Sequence, residues 1–215
     1  MKSSTILDYY RDQPLSIRLH VLGRWHLFPF PALAQYLPQG EIFVDFGCGY
    51  GIWAFYMAQI RPQARILGSD PDDEKIRVAA AVASQHGKTR LEFSVGNAQD
   101  IPLPTCSLVS LVDILYLIPY GEQIEILHKC AAALVSGGCV MIKEIGSQPR
   151  WKYWANYLEE MLAVRVLRIT FGHEFYFRIE QGWKDILERL GLQAKVIRLD
   201  AGYLHPHVLI LGKKP

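Results

Sequence analysis

The run Val44-Asp45-Phe46-Gly47-Cys48-Gly49-Tyr50-Gly51 decides how this chain reads. It ends the apolar stretch Glu41–Phe46, a first strand by its pattern, and precedes a helical pattern through about Ile60. Glycines between strand and helix let the backbone turn sharply and approach a ligand without a Cβ clash. In open α/β sheets that crevice, at the carboxyl ends of the strands, is where ligands lie.

Working outward, short apolar runs alternate with helical patterns. Arg65–Ser69 reads as a second strand. Asp72 or Asp73 caps a helix to about His86, with Ile76, Ala79, Ala80 and Ala83 on one face. Arg90–Val95 is a third strand, and the continuous apolar run Ser107–Ile114 a central fourth. Ile124, Leu127, Ala131 and Leu134 mark a helix ending near Gly137–Gly138, and Cys139–Glu144 a fifth strand. Trp151, Trp154, Leu158 and Leu162 place an inserted amphipathic helix in Arg150–Arg168. Trp183, Ile186, Leu187 and Leu190 mark a further helix stopped at Gly191. Gln193–Leu199 and His207–Leu211 then close the chain as two strands, an antiparallel hairpin at the sheet edge. The alternation predicts a doubly wound, mainly parallel α/β sheet covered on both faces.

One domain accommodates all 215 residues. It divides into a lead-in or lid (1–38), a ligand-binding core (39–146), an inserted substrate-recognition segment (147–180) and closing elements (181–215). The lead-in contains Trp25, Phe28 and Phe30, with Pro29 and Pro31 breaking any helix. Covering the site and packing on the sheet are both open to it.

Half the residues are apolar and the formal charge is +2, without a basic stripe, so no strong field toward nucleic acid or acidic lipid is expected, and no nucleic-acid partner. Cys48, Cys106, Cys130 and Cys139 form no CxxC pair, which argues against zinc or a disulfide framework and for thiols in a reducing cytoplasm. Met1–Tyr10 lacks an apolar signal region, and no apolar run approaches the ~18 residues of a membrane span. A soluble, cytoplasmic protein is the expectation.

Two cofactors compete for the glycine loop. A dinucleotide fingerprint wants Gly or Ala where Ile52 stands, and Asp45 is an awkward neighbour for a pyrophosphate. S-adenosylmethionine (AdoMet) carries a sulfonium and an ammonium and no phosphate, so an acidic residue there is sensible. Gly68-Ser69-Asp70, about 20 residues past the loop, ends the second strand with a carboxylate suited to ribose hydroxyls.

From Glu41 to Glu144 the chain resembles the class I AdoMet-dependent methyltransferase family. Val44–Gly51 is similar to its first motif and Gly68–Asp70 to its ribose-binding acid. Gly96-Asn97-Ala98-Gln99-Asp100-Ile101-Pro102 resembles the adenine-contacting motif, with Asn97 where Asp is frequent. Val112-Asp113-Ile114-Leu115-Tyr116-Leu117-Ile118-Pro119 resembles the motif beside the methyl group, and Leu134–Val140 the turn before the fifth strand. The resemblance implies sheet order 3-2-1-4-5-7-6 with strand seven antiparallel, and a Rossmann-like methyltransferase fold. It implies AdoMet contacts from Asp45, Gly47, Cys48, Gly49, Gly51, Asp70, Asn97, Ala98 and Asp113. Plainer roles stand beside these: Asn97 and Asp100 as loop residues satisfying their own backbone, Asp113 as a turn cap, and Gly137–Gly138 as a helix stop.

Methyl transfer is a direct displacement that needs acceptor and methyl held collinear, plus a base where the acceptor is a hydroxyl. His173, Glu144 and Tyr176 are the catalytic candidates, with His173 first as base. His205-Pro206-His207 lacks a carboxylate at ligand spacing, so it reads as a structural strand start and no metal is expected. Trp151, Tyr153, Trp154, Tyr157, Phe171, Phe175, Tyr176 and Phe177 suggest a small aromatic or lipophilic acceptor, methylated at oxygen. Asp113-Ile114-Leu115-Tyr116 differs from the Asn/Asp-Pro-Pro-Tyr/Phe of base-methylating enzymes. The alternatives are a membrane-surface lipid methyltransferase with Arg150–Arg168 in the interface, and a non-catalytic AdoMet-binding protein.

Overall fold

Pleating sorts the apolar runs of the sheet onto two faces. In the computed structural model, which describes residues 4–146, 175–203 and 205–215, strands β1 (Ile42–Phe46), β2 (Arg65–Asp70), β3 (Leu91–Val95), β4 (Cys106–Val112), β5 (Leu134–Ile145), β6 (Gln193–Arg198) and β7 (His207–Lys213) form one sheet. Their order is β3-β2-β1-β4-β5-β7-β6. β1 to β5 pair in parallel, while β7 runs antiparallel to β5 and to β6. Phe43, Leu108, Met141 and Leu209 enter one core layer; Val44, Val109, Val140 and Ile210, one residue along each strand, enter the other. β4, buried at every position, is the central strand that its unbroken apolar run requires.

The first layer is covered by α1 (Ser4–Asp8), α2 (Leu15–Leu27), α3 (Phe30–Ala34), α4 (Ile52–Ile60) and α5 (Asp73–Gln85), the second by α6 (Tyr120–Ala133) and α7 (Glu180–Arg189). Asp72 caps α5 by accepting the Lys75 amide. The buried face of α5 is Ile76, Ala79, Val82 and Ala83; Ala80, expected there, is exposed because it falls on the far side of the turn.

Two boundaries differ from the sequence reading. α6 stops at Ala133, and Leu134 turns directly into β5, so Gly137–Gly138 is no helix stop. The glycines lie where the β4–β5 register shifts, and a Cβ on Gly138 would stand 3.0 Å from the Ser107 carbonyl oxygen. Gly138 permits close passage of two backbones, while Gly137, with open space around it, takes a positive φ of +78°. The fourth strand ends at Val112, short of Ile114, where the chain enters a 3-10 turn at Leu115–Leu117.

The lead-in packs on the sheet's first layer. Its prolines separate two helices: α2 ends at Leu27, and α3 starts at Phe30 with Pro31 in the first turn, where a missing N–H costs nothing. Trp25, Phe28 and Phe30 are buried, and Phe30 stacks on Trp53 of α4.

Candidate cofactor and acceptor site

The turn after β1 is made by three glycines at positive φ: Gly47 (+68°), Gly49 (+54°) and Gly51 (+83°). Only Gly49 faces open space, the nearest atom to an added Cβ being Lys75 Cδ at 4.0 Å. A Cβ on Gly47 would collide with Ile114, and one on Gly51 would meet Phe93 at 2.8 Å. Two glycines therefore serve packing, and the middle one leaves the gap a ligand requires.

Asp70, at the end of β2, holds this loop. Its Oδ2 accepts the Gly49 amide at 2.9 Å and its Oδ1 the Asp72 amide at 2.9 Å, while the Cys48 amide donates to the Ser69 carbonyl at 3.0 Å. Each carboxylate oxygen keeps a lone pair for a further donor such as a sugar hydroxyl. Asp45 is almost wholly buried. Its Oδ1 accepts Ser110 Oγ at 2.7 Å, and its Oδ2 has no partner. Burial pushes its carboxyl up to about 7, against the pull of Ser110. A buried carboxyl with an orphaned oxygen at the end of β1, and a glycine in the following turn that faces open space, suit a cationic nucleoside, so these residues fit AdoMet. Burial likewise raises the Cys48 thiol, which stays protonated against the loop.

Asn97 is exposed and donates to Asp100 Oδ2 at 3.1 Å, the local satisfaction its plainer reading describes. Ala98 is buried, and its carbonyl, with those of Gln99 and Ile101, accepts Lys129 Nζ of α6. That lysine, unnoticed in the sequence, fastens the Asn97 loop to helix α6.

Asp113 carries the one positive φ (+53°) of a non-glycine among the described residues. Its carboxylate meets Lys143 Nζ at 2.8 and 3.0 Å, and Arg24 Nη1 of α2 at 3.6 Å. Lys143 is fully buried and lies over the Phe28 ring at 3.8 Å; Arg24 lies over the same ring at 3.7 Å. Asp113 is thus already charge-paired at the end of β4. Burial lowers the Lys143 ammonium, and Asp113 opposes that.

Glu144 points the other way from the pleat. Burial, then Asp113, lifts its carboxyl well above the usual range, while the amides of Leu115 and Tyr116 pull it down; Oε1 has no partner. A carboxyl shifted in this direction favours its neutral form. The Tyr176 amide donates to the Tyr116 carbonyl at 2.8 Å, and its ring meets Tyr120 edge-on, so it stands beside the exit of β4. Gln123, fully buried on α6, joins these pieces: Nε2 donates to the carbonyls of Leu115, Ile118 and Tyr176, and Oε1 accepts Arg178 Nε at 2.7 Å. Its position on the apolar face of α6, with Ile126, Leu127 and Cys130, was the available signal.

His207 opens β7 with Nε2 against the Leu27 carbonyl at 2.9 Å, and burial lowers its imidazole to about 3. His173, Trp151, Tyr153, Trp154, Tyr157 and Phe171 lie outside the described residues, as does Arg150–Arg168; Phe175 and Phe177 pack on Tyr116. Among the described residues no helix is long and apolar enough to cross a membrane.

Comparison with known proteins agrees with this geometry. Residues 43–138 match the family described as a methyltransferase domain. That match spans the glycine loop and the first four strands, and the sheet order agrees with the fold of class I AdoMet-dependent methyltransferases, which the chain resembles. A fatty-acid O-methyltransferase of Mycolicibacterium smegmatis is 26% identical over 186 residues, 85% of this chain and 65% of that protein. An erythromycin 3''-O-methyltransferase of Saccharopolyspora erythraea is 26% identical over 115 residues, 53% of this chain and 38% of that protein. The chain thus spans less than two thirds of the length of these curated relatives. Among solved structures, an O-methyltransferase family 2 protein of Planctomyces limnophilus in complex with apigenin superposes with TM-score 0.69 at 21% identity, over 99% of this chain and 65% of that one. The mitomycin 7-O-methyltransferase gives 0.71 at 16%, over 100% and 61%. These likenesses concern the fold.

Proposed function

We propose that the chain transfers a methyl group from AdoMet to oxygen of a small aromatic or lipophilic acceptor. The observation that carries this is Asp70, whose two carboxylate oxygens are fixed by the Gly49 and Asp72 amides beside the open face of Gly49. In this reading Asp70 accepts the ribose hydroxyls, Gly49 allows close approach, and Asp45 faces the positive end of the ligand. Ala98 and Asn97 border the adenine, and Asp113, at the end of β4, borders the methionine portion. AdoMet, when bound, supplies a methyl group on positive sulfur, open to displacement by an acceptor oxygen.

The chain's own contribution is positioning and exclusion of water. α2 covers the strand ends through Arg24 and Asp113, and Gln123 fixes the two segments that carry Tyr116 and Tyr176. Glu144, whose burial favours the neutral carboxyl, has an unpartnered Oε1 for a hydrogen bond toward an acceptor oxygen. His173 is the proposed base for a hydroxyl acceptor; a carboxylic acid acceptor arrives ionised and needs none. The mycobacterial relative's name, for fatty acids, supports including acids in the acceptor class. Four free thiols support a cytoplasmic site of action.

Incubating the protein with methyl-labelled AdoMet and a panel of fatty acids, phenols and amines tests the reading. Labelled esters or ethers are expected, and His173→Ala is expected to depress turnover on phenols while sparing AdoMet affinity. Label on amines alone, or on nothing, would overturn it.

A further inference from the structure

Helix α2 has three faces with different tasks. Ile17, Val21 and Trp25 are buried in the core. His20 and Arg24 look toward the site, the first on the Tyr50 ring at 5.2 Å and the second on Asp113. The remaining face is exposed and apolar: Leu15 is 65% accessible, Leu19 58% and Leu22 42%, at spacings of four and three, with Leu27 at 50% in the last turn. Isolated exposed leucines are ordinary, but Leu15, Leu19 and Leu22 share one side of this 13-residue helix and make an apolar strip, with Leu27 turned toward the His20 flank. Arg18 and His26 are exposed among them, and α2 contains no acidic residue.

We propose that the outward face of α2 docks on an anionic lipid surface. An interfacial helix needs an apolar strip to enter the acyl boundary and cations beside it to meet anionic headgroups. This face offers both. Charge decides against a second copy of the chain as the occupant. A second copy of α2 offers Arg18 no acidic residue to pair with, whereas an anionic headgroup layer complements it. The placement also has a use. The opposite flank of α2 covers the strand ends at Asp113, so a lipophilic acceptor leaving the bilayer under α2 arrives beside the proposed methyl-transfer site. The surface itself does not depend on that chemistry.

Co-sedimentation with vesicles of phosphatidylglycerol and phosphatidylcholine in about equal proportion, against pure phosphatidylcholine, tests the proposal without AdoMet or acceptor. Binding is expected to favour the anionic vesicles and to weaken with salt. L19S/L22S is expected to lower it about tenfold or more, since each replacement removes apolar area from the contact. R18E is expected to lower it on anionic vesicles alone, and it keeps the claim testable should the leucine variant fold poorly. Sedimentation velocity is run in parallel. Absence of vesicle binding, equal binding by all three proteins, or a wild-type dimer that L19S/L22S converts to monomer would each overturn it. None of these results bears on methyl transfer, which the labelled-AdoMet assay reads separately.

Discussion

Lys143 Nζ stands 2.8 Å from Asp113 Oδ1 at the ends of neighbouring strands β5 and β4, with the lysine side chain wholly shielded from water. A buried ion pair contributes little net stability against an apolar replacement, but breaking it leaves one charge stranded.

Asp113→Asn keeps a residue that tolerates the positive φ and removes only the charge. It is expected to destabilise the fold by about 3–5 kcal/mol in denaturant unfolding. Adding Lys143→Met is expected to restore much of that loss. An unchanged midpoint in the single variant would remove the pair as a structural element.

Asp45 gives a pH prediction. Its carboxyl sits up at about 7 in the free protein, and a bound cation favours the ionised form. Binding below that pH releases a proton, so AdoMet affinity is expected to rise with pH up to about 7 and then level off. For folding the sign is opposite: the raised group makes the folded state bind more protons than the unfolded chain, so stability falls as pH climbs from about 4 to about 7. Asp45→Asn is expected to flatten both dependences. Calorimetric titrations at pH 6 and 8, with unfolding at the same values, read them.

The three loop glycines separate packing from binding. Gly49→Ala has room for its Cβ and is expected to cost about 1–2 kcal/mol of stability, from the left-handed backbone alone, while strongly reducing AdoMet affinity. Gly51→Ala meets Phe93 and Gly47→Ala meets Ile114, so both are expected to lose more stability than Gly49→Ala. Thermal melts with and without AdoMet distinguish the two effects.

Gln123→Leu removes the donor to three carbonyls and the acceptor for Arg178. A loss of about 2–3 kcal/mol is expected, since buried carbonyls are left unsatisfied. Because Tyr116 and Tyr176 lose their common anchor, KM for the acceptor is expected to rise with little change in AdoMet affinity. Equal effects on both ligands would make Gln123 a purely structural residue.

Much of this was legible before the structure because it is local. Strand β1, its glycine turn and Asp70 fall within thirty residues, and their spacing follows from one strand–helix–strand unit. The closing hairpin was legible for the same reason. What escaped depends on distant partners: Arg24 reaching Asp113, Lys129 collecting three carbonyls, and Gln123 bridging segments more than fifty residues apart. Gly137–Gly138 misled because a glycine pair after a helix resembles a stop, while the reason for Gly138 lies in the backbone of β4 and that for Gly137 in its positive φ. Ala80 misled because alanine suits either face of a helix.

Calorimetric titration of AdoMet into wild type and Asp70→Ala tests the central claim most directly. Wild type is expected to bind one equivalent, and the variant to lose about 1–3 kcal/mol of binding free energy while remaining folded by circular dichroism. Equal affinity in the two proteins, or no binding to wild type, would contradict the assignment of the crevice between Gly49 and Asp70 as the cofactor site.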